Sequence, residues 1–170
     1  MAEELNISDV LFESCGGELL DEIEPLWMKL HSFHRQVSTH FSEHFPEINF
    51  EQRKKALFSN MTRGNIKLDV VRSAKSSNII GYCLSSIRDS ATGKMGEIES
   101  IYLEPDYRGL GIGGKFMRES LLWMDSLSVK RKVLGVGVGN EVTFRFYEKY
   151  NFFPRTTILE QRSIKNDVNV

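Results

Sequence analysis

The chain reads as an α/β domain, an α+β mixed sheet in which antiparallel hairpins meet one parallel crossover. Three observations lead there. The hydrophobic period changes from helical to alternating near residue 66, polar turns separate three successive strand-like runs, and a glycine-rich turn carries the last of these into an amphipathic helix. The order of elements is β-α-α-β-β-β-α-β-α-β, and its β-α-β unit should be right-handed and parallel.

Leu5 to Leu11 reads as the first strand, and Gly16-Gly17 breaks the chain after it. From Glu18 to Phe45 apolar residues recur at three-to-four spacing, with Leu19, Ile23, Leu26, Trp27, Leu30 and Phe33 on the stripe. Pro25 interrupts this run and sits best in the first turn of a new helix, so two pieces or a kink are expected. Trp27 and Phe33 read as core. Asn49 and Gln52 resemble a capping box for a second helix through Asn60. Ile66–Ser73 and Ile79–Ile87 are strands joined by Lys75-Ser76-Ser77-Asn78, and Asp89 to Gly93 turns into a further strand, Gly96–Leu103. Gly111 to Leu127 is an amphipathic helix carrying Phe116, Ser120 and Trp123, and Val133–Val138 is a short strand. Asn140 can cap a helix through Tyr150, and Thr156–Ile164 closes as a strand.

Composition narrows the function classes. A length of 170 residues without a linker or repeat suits a single domain over residues 1–170. Lys and Arg number 22 against 23 Asp and Glu, a net charge of −1, so nucleic acid is not an expected partner. The acidic start Met1-Ala2-Glu3-Glu4 lacks a secretory pattern, and the run Ile79 to Leu84 is far short of the ~20 apolar residues that span a bilayer. A cytoplasmic protein with no membrane partner is expected. Cys15 and Cys83 show no C-x-x-C spacing and read as reduced thiols. His31, His34, His40 and His44 lack a nearby Cys or an H-E-x-x-H pattern, so no metal is expected.

The most informative stretch runs from Leu103 through Glu104-Pro105-Asp106-Tyr107-Arg108-Gly109-Leu110-Gly111-Ile112-Gly113-Gly114 to Lys115. It follows a strand and opens a helix, where bare glycines and outward-pointing amides suit a phosphate. Gly109, Gly111 and Gly114 fit G-x-G-x-x-G, but they lie well beyond the strand end, and Leu134 stands where a dinucleotide site wants an acid. Gly109, Gly114 and Lys115 approach a P-loop, but Phe116 replaces the hydroxyl that reaches magnesium. Arg-x-x-Gly-x-Gly, met by Arg108, Gly111 and Gly113, is the third pattern.

With the strand Glu97 to Leu103 before it, and Asn140 and Phe146-Tyr147-Glu148-Lys149-Tyr150-Asn151-Phe152 after it, the chain resembles the GNAT superfamily of N-acetyltransferases from about Gly96 to Phe153. The resemblance implies a central mixed sheet, flanked by helices, whose parallel fourth and fifth strands splay apart. It implies acetyl-CoA as co-substrate, its pyrophosphate on the amides of Arg108, Gly109, Leu110, Gly111, Ile112, Gly113 and Gly114, with Asn140 and Tyr147 also at the cofactor. The pantetheine arm would enter between the strands around Ile101 and Val136, along Ile101, Tyr102 and Leu103. Lys115 either adds charge at the phosphates or is a solvated lysine.

The implied reaction is direct attack of a primary amine on the thioester, which needs loss of an ammonium proton, a donor to the oxyanion and a proton for the leaving thiolate. The resemblance assigns the oxyanion donor to the Ile101 amide and the acid to Tyr147, a phenol that is neutral at pH 7. Tyr150 reads as core. Glu97 and Glu99 share a strand face and are alternative bases, the choice depending on whether the strand carries a bulge. His34 and His40 are candidates for the acceptor pocket, which the first two helices wall off in the family. Gly16 to Glu51 holds seven acids against Lys29 and Arg35, a net −5 that either attracts a cationic acceptor or forms two solvated helix faces. A small-molecule amine is the expected acceptor, with a protein or peptide amine, or a non-catalytic acyl-CoA-binding module, as alternatives, and a homodimer left open. Asn151 replaces the usual glycine after the tyrosine helix and tolerates the same left-handed turn.

Overall fold

A single sheet organises the chain, with β1 (Val10–Cys15), β2 (Ile66–Ser73), β3 (Ile79–Ser90), β4 (Gly93–Leu103) and β5 (Arg131–Leu134) side by side in that order. The structure, a computed structural model, describes residues 6–42, 49–59 and 65–161. β1 to β4 are antiparallel neighbours, and β5 joins β4 in parallel. Helices α1 (Glu24–Val37) and α2 (Phe50–Ser59) cover one face of the sheet, and α3 (Ile112–Ser126) and the short α4 (Phe144–Glu148) cover the other.

Alternation along the central strands feeds both layers. Leu68, Val70, Tyr82 and Leu84 meet Ile23, Leu26, Trp27, Phe50 and Leu57 on the α1–α2 side. Val71, Cys83, Ile87 and Ile98 meet Ile112, Phe116, Met117 and Met124 on the α3 side. Each fully buried apolar side chain of this kind contributes about 1.5–3 kcal/mol. Trp27 is core, as its spacing implied.

Pro25 falls in the first turn of α1, directly after a 3-10 turn at Leu20–Ile23, so the early helical pattern does divide there. α2 opens on a reciprocal cap, with the Gln52 amide donating to Asn49 Oδ1 at 2.8 Å and the Asn49 amide donating to Gln52 Oε1 at 2.9 Å. Left-handed Asn151, at φ 60°, closes the tyrosine helix.

Several boundaries depart from the sequence reading; β3 runs on to Ser90, β4 begins at Gly93, and the helix expected from Asn140 through Tyr150 is a 3-10 turn at Glu141–Thr143 followed by α4. The first strand begins later, at Val10, because Ile7–Asp9 forms a 3-10 turn in which Asp9 accepts from the Asn6 amide. α1 ends at Val37, and residues 43–48 lie outside the described set, as does Asn60. β5 runs Arg131–Leu134 rather than Val133–Val138, since the glycines at 135, 137 and 139 weaken strand pairing. Thr156 to Gln161 carries no regular structure, and Ile158 and Leu159 stand exposed; the rest of that expected strand lies outside the described residues. β-branched sequence alone makes no strand without a ladder partner.

Candidate active site

Pairing between β4 and β5 extends from Met95↔Arg131 to Ile98↔Leu134 and stops, while β4 continues to Leu103. The wedge opened beyond the last pair is a cleft of about 1040 Å³. Its walls come from β4 between Ile98 and Leu103, the segment after β5, the glycine loop, α1 and α4. Backbone groups on the open side of β4 lack the ladder that a full-length β5 would supply, and an extended ligand with amides of its own can replace it.

One end of the cleft is made chiefly of backbone. Gly111 is the N-cap of α3 and holds φ 81°, a left-handed value that β-carbon-bearing residues avoid. The first intrahelical bond runs from the Lys115 amide to the Gly111 carbonyl at 3.0 Å, leaving the amides of Ile112, Gly113 and Gly114 for an external acceptor. Gly109, Gly111, Gly113 and Gly114 line the cleft; Ile112 is buried in the core, and Leu110 rests against it. Arg108 lines the cleft too, but its Nε donates to the Leu103 carbonyl at 3.0 Å and its guanidinium lies over the Tyr102 ring. Lys115 is not a lining residue. Its ammonium sits 3.7 Å from the centre of the Phe12 ring, on the β1 side of α3.

Arg118 and Lys149 join Arg108 and Lys29 along the walls, against Glu99 as the one carboxylate among the described lining residues. The sequence reading gave neither Arg118 nor Lys149 a role in the site. Arg118 was accessible by helix spacing, because it lies four residues beyond Gly114, and its Nη1 comes within 3.3 Å of where a Cβ on Gly114 would stand. Tyr150 also lines the cleft, with its hydroxyl 2.9 Å from that same point, so it is not simply core.

The other end is made of side chains. The register of β3 on β4 shifts between Leu84 and Ser85, so Glu99 is an extra residue, a bulge at the cleft's edge. The bulge brings Glu99 and Ser100 both to the cleft. The Glu99 carboxylate, 7 % exposed, takes Arg53 Nη2 of α2 at 2.6 Å on one oxygen and the Ser86 hydroxyl at 2.6 Å on the other. Glu97 is absent from the lining; its carboxylate pairs with Arg88 at 2.6 Å. The Ser100 and Tyr82 hydroxyls are buried beside each other, with no further hydrogen-bond partner among the described residues. Leu30, Phe33 and His34 of α1 face the bulge across the cleft, and burial together with His31 pulls the His34 imidazole below its ordinary pKa. Phe33, expected in the core, is 40 % exposed. His40 lies beyond the end of α1, exposed and off the cleft, and His44 lies outside the described residues. The tail of α1 closes on the loop after β5, where Gly139, at φ 95°, places its would-be Cβ 2.0 Å from the Val37 carbonyl oxygen.

Tyr147 projects from α4 into the cleft between these ends. Burial, with a smaller contribution from nearby Cys83, pushes its phenol up to about 12. It therefore keeps its proton at neutral pH. Asn140 lines the cleft as well; it precedes a 3-10 turn at Glu141–Thr143, and its side chain makes no capping bond there.

The sequence matches the model of the Acetyltransferase (GNAT) family over residues 27–152. The chain belongs to that family. Its sheet, with parallel β4 and β5 flanked by helices, is the GNAT fold. A GCN5-related N-acetyltransferase from Ralstonia eutropha JMP134 superposes with a TM-score of 0.71 at 14% identity, over 90% of this chain and 98% of that one. An aminoglycoside acetyltransferase from an uncultured soil metagenomic sample, in complex with trehalose, gives 0.65 at 13% identity, over 94% and 99%. A predicted acetyltransferase from Clostridium acetobutylicum, solved with acetyl-CoA, gives 0.63 at 15% identity, over 90% and 96%. No curated protein sequence matches the chain. GNAT enzymes use acetyl-CoA for acyl transfer, and this GNAT chain has no helix, among the described residues, long and apolar enough to cross a membrane.

Proposed function

We propose that this chain transfers the acetyl group of acetyl-CoA to a primary amine by direct attack within the β4–β5 cleft. The observation that carries the reading is the end of the ladder at Ile98↔Leu134, with the bare amides of α3 at one end of the opening and Tyr147 inside it. An extended amide-bearing arm fits along β4, and a pyrophosphate fits the N-terminus of α3, whose dipole favours negative charge. Arg118, close to Gly114, supplies further positive charge on that side, and Lys149 adds a cation to the cleft. Acetyl-CoA supplies the activated acyl carbon when bound; the protein supplies orientation and proton handling.

The amine nitrogen forms a bond to the acyl carbon as the carbon–sulfur bond breaks. The ammonium gives up one proton before attack and a second after it. The leaving thiolate takes one from Tyr147, the phenol is restored by another, and one proton leaves to solvent. Glu99, on the bulge and facing the cleft, is the carboxylate placed to meet the incoming ammonium, rather than Glu97. The Ile101 amide, on the stretch of β4 that pairs with β3 but not with β5, is our assignment for the oxyanion donor.

Acetyl-CoA at a hundred times its dissociation constant should raise stability by about 2.7 kcal/mol. Thermal melting checks this, and no shift with acetyl-CoA beside a clear one with NAD or ATP would sink the reading.

A further inference from the structure

The acceptor end of the cleft is nearly neutral, and that selects among amines. Leu30, Phe33, Leu134 and Val142 line it with hydrocarbon. Its charged members are already matched, Lys29 by Glu104 and Glu99 by Arg53. The acids that suggested a cationic acceptor point their charge elsewhere. Asp21 and Glu51 hold Lys54, Glu22 holds Arg72, and Glu18 accepts from the Gly16 amide. None of these four, nor Glu24, lines the cleft, and Glu43 and Glu47 lie outside the described residues.

We propose that the acceptor is a primary monoamine on an apolar aryl or alkyl body, its ammonium seated at Glu99 and its body against Leu30, Phe33 and Val142. The inference rests on the acetyl-transfer reading and names the substrate class for it. An ammonium carries three N–H donors. Glu99 can accept one, and Ser100, next to it on the bulge and beside the Tyr82 hydroxyl, lines the cleft with a hydroxyl oxygen able to accept another. A second ammonium on the same molecule would leave water for a hydrocarbon wall that, among the described residues, offers no carboxylate beyond Glu99, near the like charge of Lys29, and burying a charge without a partner is costly. Such an amine can be a free small molecule or the N-terminus of a peptide with an apolar first residue, and both present the same chemistry.

The test measures thiol release from acetyl-CoA by the full chain with phenethylamine, hexylamine, a short peptide beginning with Leu, spermidine and kanamycin. The expected kcat/KM for the apolar monoamines or the peptide exceeds that for spermidine and kanamycin by at least about tenfold, a ratio worth about 1.4 kcal/mol; which of the two monoamine sources reacts faster identifies the source. Phe33 is 40 % exposed, so Phe33→Glu should fold, and it should shrink that ratio severalfold. Equal or faster turnover of the polycations, or an unchanged ratio in Phe33→Glu, overturns the proposal. No turnover of any apolar amine, while acetyl-CoA still raises the melting temperature, overturns the acceptor class and leaves the transfer reading standing. Absence of any acetyl-CoA stabilisation removes the transfer reading, and this proposal with it.

Discussion

The two ends of the cleft are built from different materials. At the α3 end the chain offers main-chain amides on a bare helix terminus, and the side chains of that turn point into the core or away. At the bulge end it offers side chains of α1 and β4, with Glu99 held from distant parts of the sequence by Arg53 of α2 and Ser86 of β3. A backbone site tolerates changes at side-chain positions and fails where a glycine gains a Cβ. A side-chain site does the opposite. Substitutions at the two ends should therefore separate binding of the acyl donor from use of the acceptor.

Tyr147 stands between the two and should show the largest effect. General acid catalysis contributes about 10²–10⁴-fold, so Tyr147→Phe should lower kcat by about a hundredfold or more while acetyl-CoA affinity changes by less than about twofold. Unchanged kcat would remove the phenol from the proton path. The same residue makes a stability prediction. Its folded pKa of about 12 lies above the ordinary phenol value, so the protonated phenol favours the fold. That contribution is complete below about pH 10 and is lost as the pH rises toward 12. Tyr82, raised in the same direction by burial, adds to the loss. Chemical denaturation of Tyr147→Phe should fall less steeply across that window than the parent does.

The next contrast lies within β4. Glu99→Gln strips charge from a bond shared with Arg53 and Ser86 inside the cleft, and charge-assisted bonds of this kind are worth about 1.5–3 kcal/mol. A loss of roughly tenfold in kcat/KM for the amine is expected, with acetyl-CoA binding retained. Glu97→Gln breaks only the more exposed pair with Arg88, worth at most about 1 kcal/mol, and turnover should stay within about twofold. Equal losses in the two variants would mean that the bulge does not choose between them.

This pair shows how far the chain could be read before its fold was known. Strand β2 was legible to the residue, and the glycine loop was legible as a strand-to-helix turn, because both are local: an alternating run and a set of backbone conformations. Alternation also put Glu97 and Glu99 on one strand face, but it could not say which meets the cleft. That depends on one extra residue between Leu84 and Ser85's partners, and a bulge is a property of two strands together. Arg53 was out of reach for the same reason. Only the folded sheet brings a residue of α2 to a carboxylate 46 positions later. The acidic count over residues 16–51 carries no direction, and four of those acids, Glu18, Asp21, Glu22 and Glu51, are turned toward Lys54, Arg72 and a loop amide.

At the α3 end, Gly111→Ala is the informative change. A Cβ at residue 111 meets nothing within 4 Å, so the cost is conformational rather than steric. Left-handed backbone costs an L-residue roughly 1–2 kcal/mol, and relieving it turns the first amides of α3 off their common target. Acetyl-CoA affinity should drop about fivefold to tenfold in a calorimetric titration, with kcat at saturation little changed. An unaltered affinity would mean that the amides of this turn are not what holds the pyrophosphate.

Lys115 is the smallest expected effect and the sharpest probe of a backbone site. It follows the glycines directly and has the charge a phosphate wants, yet its ammonium lies over Phe12 and not on the cleft. If main-chain amides hold the pyrophosphate, Lys115→Ala should leave acetyl-CoA affinity within about twofold and cost only the cation–π contact, about 0.5–1 kcal/mol of stability. Arg118→Ala, removing a cation that does line the cleft, is the matched control and should weaken binding more. Contacts to phosphate are sensitive to ionic strength, so repeating both titrations at high salt separates a direct partner from a bystander. A salt-sensitive loss in Lys115→Ala as large as that in Arg118→Ala would require the lysine to leave Phe12 for the ligand, and would make the α3 end a side-chain site like its opposite.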